Sequence, residues 1–158
     1  MDMHLSETAY AAAMAAHSLH AGQTRRPDGA DYYENHIKRV VYIAHNLFAA
    51  GLSEEDCTAL LTVAFLHDSI EDCAGAEELI LRDERLKHSV PTIKLLSHST
   101  GEDYMEYIKR IAADPIARRV KIADILHNLH DAPGKNKAAQ YREALDILWN
   151  IHFQTNRQ

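Results

Sequence analysis

The sequence predicts one all-α domain, and three observations carry that prediction. Apolar residues recur at i, i+3 and i+4 along most of the chain. No segment shows a convincing strand, and no repeat or low-complexity linker divides the 158 residues. That length is enough for one compact domain with a core of its own.

The elements follow in order. Ser6 to about His20 is rich in Ala, a strong helix former. Gly22 to Ala30, with Pro27 and Gly29, reads as a loop. Tyr33 to about Ala50 places Val40, Ile43, Ala44 and Leu47 on one helix face, with Gly51 as its stop. Ser53 with Asp56 opens a third helix that runs to about Ile70. Short helices are expected over Glu77–Arg85, from Pro91 to near His98, and over Glu102–Ala112. Asp114-Pro115 is an N-cap followed by Pro at the first helical position, and Pro133-Gly134 breaks the helix it starts. The last helix spans about Lys137 to His152.

Composition narrows the function. Hydrophobic residues make up 46 % and charged residues 25 %, the balance of a soluble globular chain. The formal net charge of -6 gives no global electrostatic case for nucleic-acid binding. A phosphate substrate would need a local cluster of cations or a metal. No apolar run approaches the roughly 20 residues of a membrane span, and Met1-Asp2-Met3-His4-Leu5 lacks the basic start of a signal peptide. Cys57 and Cys73 are too few for a thiolate zinc site and suggest no secreted disulfide framework, and the cytoplasm is the expected location.

The run Phe65-Leu66-His67-Asp68-Ser69-Ile70-Glu71-Asp72 is the most informative in the chain. Continued helix would make His67 and Glu71, and Asp68 and Asp72, i,i+4 neighbours. One pair could then hold a metal while the other reaches the water or substrate beside it. Burying three carboxylates near an apolar helix is costly without a compensating cation. His36 begins the second helix, and Asp124 sits amid the apolar residues of Val120–Leu129, where its poor helix propensity is otherwise unexplained. Lys121 and Asn128 share its side of that helix. Two imidazoles and two carboxylates make a mixed N/O site that suits Mn²⁺, Fe²⁺ or Zn²⁺ better than Ca²⁺.

The ordered set His36, His67-Asp68 and Asp124 resembles the pattern of the HD-domain metal-dependent phosphohydrolases. The extended form His67-Asp68-x-x-Glu71-Asp72 is similar to that of the alarmone hydrolases of the RelA/SpoT type and their small stand-alone relatives. His20 to Arg26, Tyr33-x-x-His36 and Val120 to Leu129 agree with it, so the resemblance runs from about Ala11 to Leu129. It implies a compact HD-domain helical bundle, with residues 1–158 as a single hydrolase domain. It implies Mn²⁺ held by His36, His67, Asp68 and Asp124, and Glu71 and Asp72 activating the attacking water. The implied reaction removes pyrophosphate from the 3′ position of ppGpp or pppGpp. Arg25 and Arg26 would lie by the base and Asn128 by the sugar. Lys121 is expected to meet a phosphate, on its charge and helix face. His20, His45, His127 and His130 read as structural or surface residues.

The partner implied is a small nucleotide, and association into a homo-oligomer stays open. Two other readings stand beside this one. The substrate could be another nucleotide (NADPH, a (d)NTP or a nucleoside monophosphate), or the chain could be a nucleotide-binding module with a vestigial metal site. The chain carries Ile37 and Ile125 where that family often has Pro and Arg, and neither position belongs to the metal set.

Overall fold

The computed structural model describes residues 3–25 and 29–155. Helix α1 (Glu7–Leu19) starts where the Ser6 hydroxyl accepts the Ala9 N–H at 3.2 Å. Its buried Ala9, Ala12 and Ala16 let it lie close against α3 (Glu54–Leu66), which the Ser53 hydroxyl caps by accepting the Asp56 N–H. Between α1 and the next helix the chain turns back on itself. Arg25 N–H bonds to Ala30 O, and Tyr32 N–H bonds to Gln23 O, at 2.8 and 3.0 Å. An isolated Thr24–Asp31 bridge is the only β pairing among the described residues.

The expected continuous α-helix over 33–50 is built differently. It opens with a π-helical turn over Tyr33–Ile37, continues as α2 (Lys38–Phe48) and closes in a 3-10 turn, Ala49–Gly51. Lys38 N–H bonds back to Tyr33 O, five residues away, so the first turn is wider than the 3.6-residue spacing implied.

A second correction falls on the most informative stretch. The expected helix from Ser53 to Ile70 ends at Leu66. His67 and Asp68 form a turn, and Ser69–Asp72 is a separate single-turn helix, α4. The cause is local. The His67 ring donates from Nδ1 to Ala64 O at 2.8 Å, taking a carbonyl that the next backbone turn would have used. His67 and Glu71 are therefore not neighbours on one continuous helix. Asp68 and Asp72 stay linked, because Asp72 N–H bonds to Asp68 O at 2.9 Å.

Gly75, at φ +77°, supplies the left-handed residue that admits α5 (Ala76–Arg82). A 3-10 turn, Lys87–Ser89, leads into α6 (Val90–Leu96), which ends two residues before the expected stop. Asp103 caps α7 (Tyr104–Ala112), and Asp114 caps α8 (Pro115–His130) through the N–H groups of Ile116 and Ala117, at 2.9 and 2.8 Å. Helix α9 (Lys135–Thr155) extends beyond its expected limits at both ends.

Helices α3 and α8 form the centre. Helix α3 packs on α1, α2 and α8, and α8 in turn meets α2, α3, α6, α7 and α9. Leu60 to Leu66 are buried without interruption, so the C-terminal half of α3 is buried all round rather than on one stripe. Leu60, Leu66, Ile122 and Ile125 are fully buried, each contributing roughly 1.5–3 kcal/mol of apolar burial. Among the described residues no helix is long and apolar enough to cross a membrane.

His20, beyond the end of α1, is fully buried, with Nδ1 2.8 Å from Gln23 Oε1. Burial pulls its pKa below the ordinary 6.5, partly offset by the Gln23 bond. The neutral ring is the native form, so the unfolded chain binds the extra proton first. Its stabilising effect is complete above about pH 6.5 and is lost as pH falls through the lower folded value. Thermal unfolding should show a lower midpoint at pH 5.5 than at 7.5, and His20→Gln should narrow that gap. An unchanged gap would assign the acid sensitivity to other groups.

Candidate metal centre

Three elements bring the imidazoles and carboxylates together. The π turn before α2 delivers His36, the turn after α3 delivers His67 and Asp68, and the middle of α8 delivers Asp124. His36 Nε2 lies 3.3 Å from His67 Nε2, 3.2 Å from Asp68 Oδ2 and 3.5 Å from Asp124 Oδ1. His67 Nε2 is 3.0 Å from Asp68 Oδ2. Ligand atoms of His36, His67 and Asp124 all fall within 4.8 Å of one another, and all three residues are buried. The group can hold a divalent metal ion. Its donors are the N and O types such an ion takes, they converge on one point, and the His67 Nδ1–H bond to Ala64 O leaves Nε2 facing that point.

The electrostatics agree with the geometry. Burial alone would lower the His67 pKa, but the Asp68 and Asp124 carboxylates push it up to about 9. The upward direction, won against burial, follows from the two carboxylates at the convergence point. Asp68, despite its burial, is held well below the carboxylate range by His67 and His36. Asp124 is likewise lowered against its burial, chiefly by the Lys121 ammonium.

Hydrogen bonds hold these carboxylates and imidazoles in place. Tyr32 donates its hydroxyl to Asp68 Oδ2 at 2.6 Å. Lys121 Nζ donates to Asp124 Oδ2 at 2.8 Å, and Asn128 Nδ2 to Asp124 Oδ1 at 2.6 Å. Arg25 donates from Nη2 to Asn128 Oδ1 and from Nε to Asp131 Oδ2, at 2.7 and 2.6 Å. It also reaches His36 Nδ1, and so does His127 Nδ1.

The convergence point is the floor of a cleft of about 390 Å³. Glu71 and Asp72 line it beside Asp68, while Lys121, Asn128 and Arg25 line it from other elements. Glu71 Oε2 accepts the His98 N–H at 2.9 Å. That loop is itself clamped by Arg110, which bonds both Glu102 oxygens at 2.9 Å and Leu95 O at 3.0 Å. Asp72 is exposed, yet partial withdrawal from water and the Asp68 and Glu71 carboxylates push its pKa up to about 6.

The described sequence-expected site residues therefore line one cleft, except His67, which is buried and touches His36 and Asp68 of its lining. Arg26 lies outside the described residues. Lys121 is half-buried against Asp124 and stacks 5.2 Å from the Tyr107 ring centre. Sequence reasoning passed over several contributors. Tyr32, four residues before His36, and His127, three after Asp124, carried a helical-spacing signal that could have found them. Tyr104, Lys137, Gln140 and Tyr141 also line the cleft, with the Lys137 ammonium 4.6 and 4.9 Å from the Tyr104 and Tyr141 ring centres. No local pattern announces that α9 covers this opening.

The fold and the centre together define an all-α bundle with a buried His/Asp cluster able to hold a divalent ion. No protein-family model matches the chain. A curated relative, a probable GTP pyrophosphokinase of Mycobacterium leprae, is 31 % identical over 121 residues, covering 68 % of this chain and 15 % of that protein. This chain thus spans a small part of the relative it matches. A solved structure described as a metazoan ortholog of SpoT that hydrolyses ppGpp covers 99 % of this chain and 96 % of its own, with a TM-score of 0.70 and 20 % identity. The bundle expected from the sequence is the fold the two chains share.

Proposed function

We propose that this chain is a metal-dependent phosphohydrolase that removes the 3′-pyrophosphate from guanosine alarmones, acting as a single hydrolase domain on a small nucleotide. The observation that carries the reading is the convergence of His36, His67, Asp68 and Asp124 at the floor of a cleft walled by Glu71 and Asp72. The shared fold with a ppGpp hydrolase and the sequence likeness to a pyrophosphokinase of M. leprae support the choice of nucleotide. Mn²⁺ is the metal we assign to the four ligands. When bound there, such an ion supplies Lewis-acid polarisation of a phosphoryl oxygen and acidifies water.

The remaining chemistry belongs to side chains. Glu71, held by the His98 N–H, is placed beside the centre to take a proton from water, and so is Asp72, whose carboxyl is pushed up to about 6. Lys121 and Lys137 put positive charge beside the carboxylates, where phosphate oxygens would enter. Arg25 and Asn128, bonded to each other, form the wall nearest His36.

Product analysis tests the reading. Protein loaded with Mn²⁺ is incubated with ppGpp and, separately, with NADPH. Conversion of ppGpp to GDP and pyrophosphate is the expected result. Orthophosphate from NADPH with ppGpp untouched would reassign the substrate, and metal binding without turnover of either would favour a binding module.

A further inference from the structure

We infer that His127 is a positioning residue that sets the tautomer of His36, and so decides whether His36 can ligate a metal; the inference rests on the metal reading above. The two histidine ligands are held in different ways. His67 has its second ring nitrogen committed to a backbone carbonyl, which fixes its proton on Nδ1 and its lone pair on Nε2. His36 has no carbonyl or carboxylate at its second nitrogen among the described residues. The atoms that reach His36 Nδ1 are Arg25 Nη1 at 2.5 Å and His127 Nδ1 at 3.0 Å.

These two neighbours require opposite tautomers. A guanidinium donates and never accepts. Bonded to Arg25, His36 carries its proton on Nε2, aimed at Asp68 and Asp124, with no lone pair left for an ion. Bonded to His127, His36 donates from Nδ1 and keeps its Nε2 lone pair on the convergence point. His127 must then hold its own proton on Nε2, leaving Nδ1 to accept. His36 and His127 are both buried, so water is a poor substitute acceptor.

The same competition gives Arg25 a second role. Loading the centre turns His36 from acceptor of Arg25 into donor to His127. Arg25 loses that contact but keeps Asp131 through Nε and Asn128 through Nη2. Its Nη1 is thereby released toward the cleft it lines, where an anionic substrate enters. Metal binding and the freeing of one cationic donor are one event.

The test measures Mn²⁺ affinity, by calorimetry or by electron paramagnetic resonance of the free ion, on wild type, His127→Leu and His127→Asn. The Asn side chain keeps an oxygen acceptor near the position of the lost Nδ1; Leu removes it. Leu at 127 should weaken binding about 10- to 100-fold, the usual cost of losing an outer partner of a ligating histidine, and Asn should restore most of the loss. A Leu variant with wild-type affinity overturns the inference, and so does an Asn variant as weak as Leu. The wild type offers a measurement free of any folding defect. In Zn²⁺-loaded protein, ¹⁵N shifts of the ring nitrogens should put the proton of His36 on Nδ1 and that of His127 on Nε2. A proton on His127 Nδ1 overturns the inference. A wild type that binds no divalent ion overturns the metal reading and this inference with it, whereas an indifferent Leu variant overturns the inference alone.

Discussion

Asp68→Ala is expected to remove both the bound metal and all measurable turnover. Asp68 Oδ2 is the atom nearest to both His36 Nε2 and His67 Nε2, at 3.2 and 3.0 Å, and Tyr32 holds it from the other side. Among the described residues no other carboxylate contacts both imidazoles at these distances; Asp124 reaches His36 at 3.5 Å. Truncation also leaves the Tyr32 hydroxyl without its acceptor, at a cost of about 1–3 kcal/mol. Far-UV circular dichroism should nevertheless stay helical, because α3 and α8 draw their stability from apolar burial. Metal content by mass spectrometry is the readout. One equivalent of metal per chain in the variant would take Asp68 out of the ligand set.

Glu71→Gln is expected to keep the metal and lose about 10²–10⁴ in kcat. The substitution is chosen for its geometry. A Gln oxygen can still accept the His98 N–H that holds Glu71 at 2.9 Å, so the side chain stays in place while its basicity goes. Asp72→Asn supplies the comparison. Its carboxyl, pushed up to about 6, must be ionised to act as a base, so a base role for Asp72 predicts a rate that falls as pH drops below that value. Loss of the acid limb in Asp72→Asn, with the limb retained in Glu71→Gln, would identify Asp72 as the titrating base. Wild-type turnover in Glu71→Gln would remove Glu71 from the reaction.

Much of this site was legible because its residues are misfits where they stand. Asp124 has poor helix propensity and lies among Ile122, Ala123 and Ile125, so only a buried partner explains it. His67-Asp68 interrupts the apolar run of α3 in the same way. Helix starts were legible for a related reason. Ser6, Ser53 and Asp114 cap through bonds to N–H groups two or three residues on, which is short-range chemistry. The break at His67 escaped because two local options compete for Ala64 O, a backbone N–H and an imidazole, and periodicity counts only the first. The π turn escaped because its spacing departs from the 3.6-residue repeat on which the reading rested.

The sequence by itself determined the all-α class, most helix starts and the identity of the groups that converge, since propensity, capping and the cost of burying charge are properties of residues and their near neighbours. Only the tertiary structure decided how those groups face one another. Residues 91 positions apart make the His36–His127 contact, and those 106 apart make the Arg25–Asp131 ion pair. Lys137 and Tyr141 reach the cleft because α9 packs on α7 and α8. Such contacts are set by how helices stack to bury α3 and α8, and the stacking depends on the shape of the whole core rather than on any short stretch of chain.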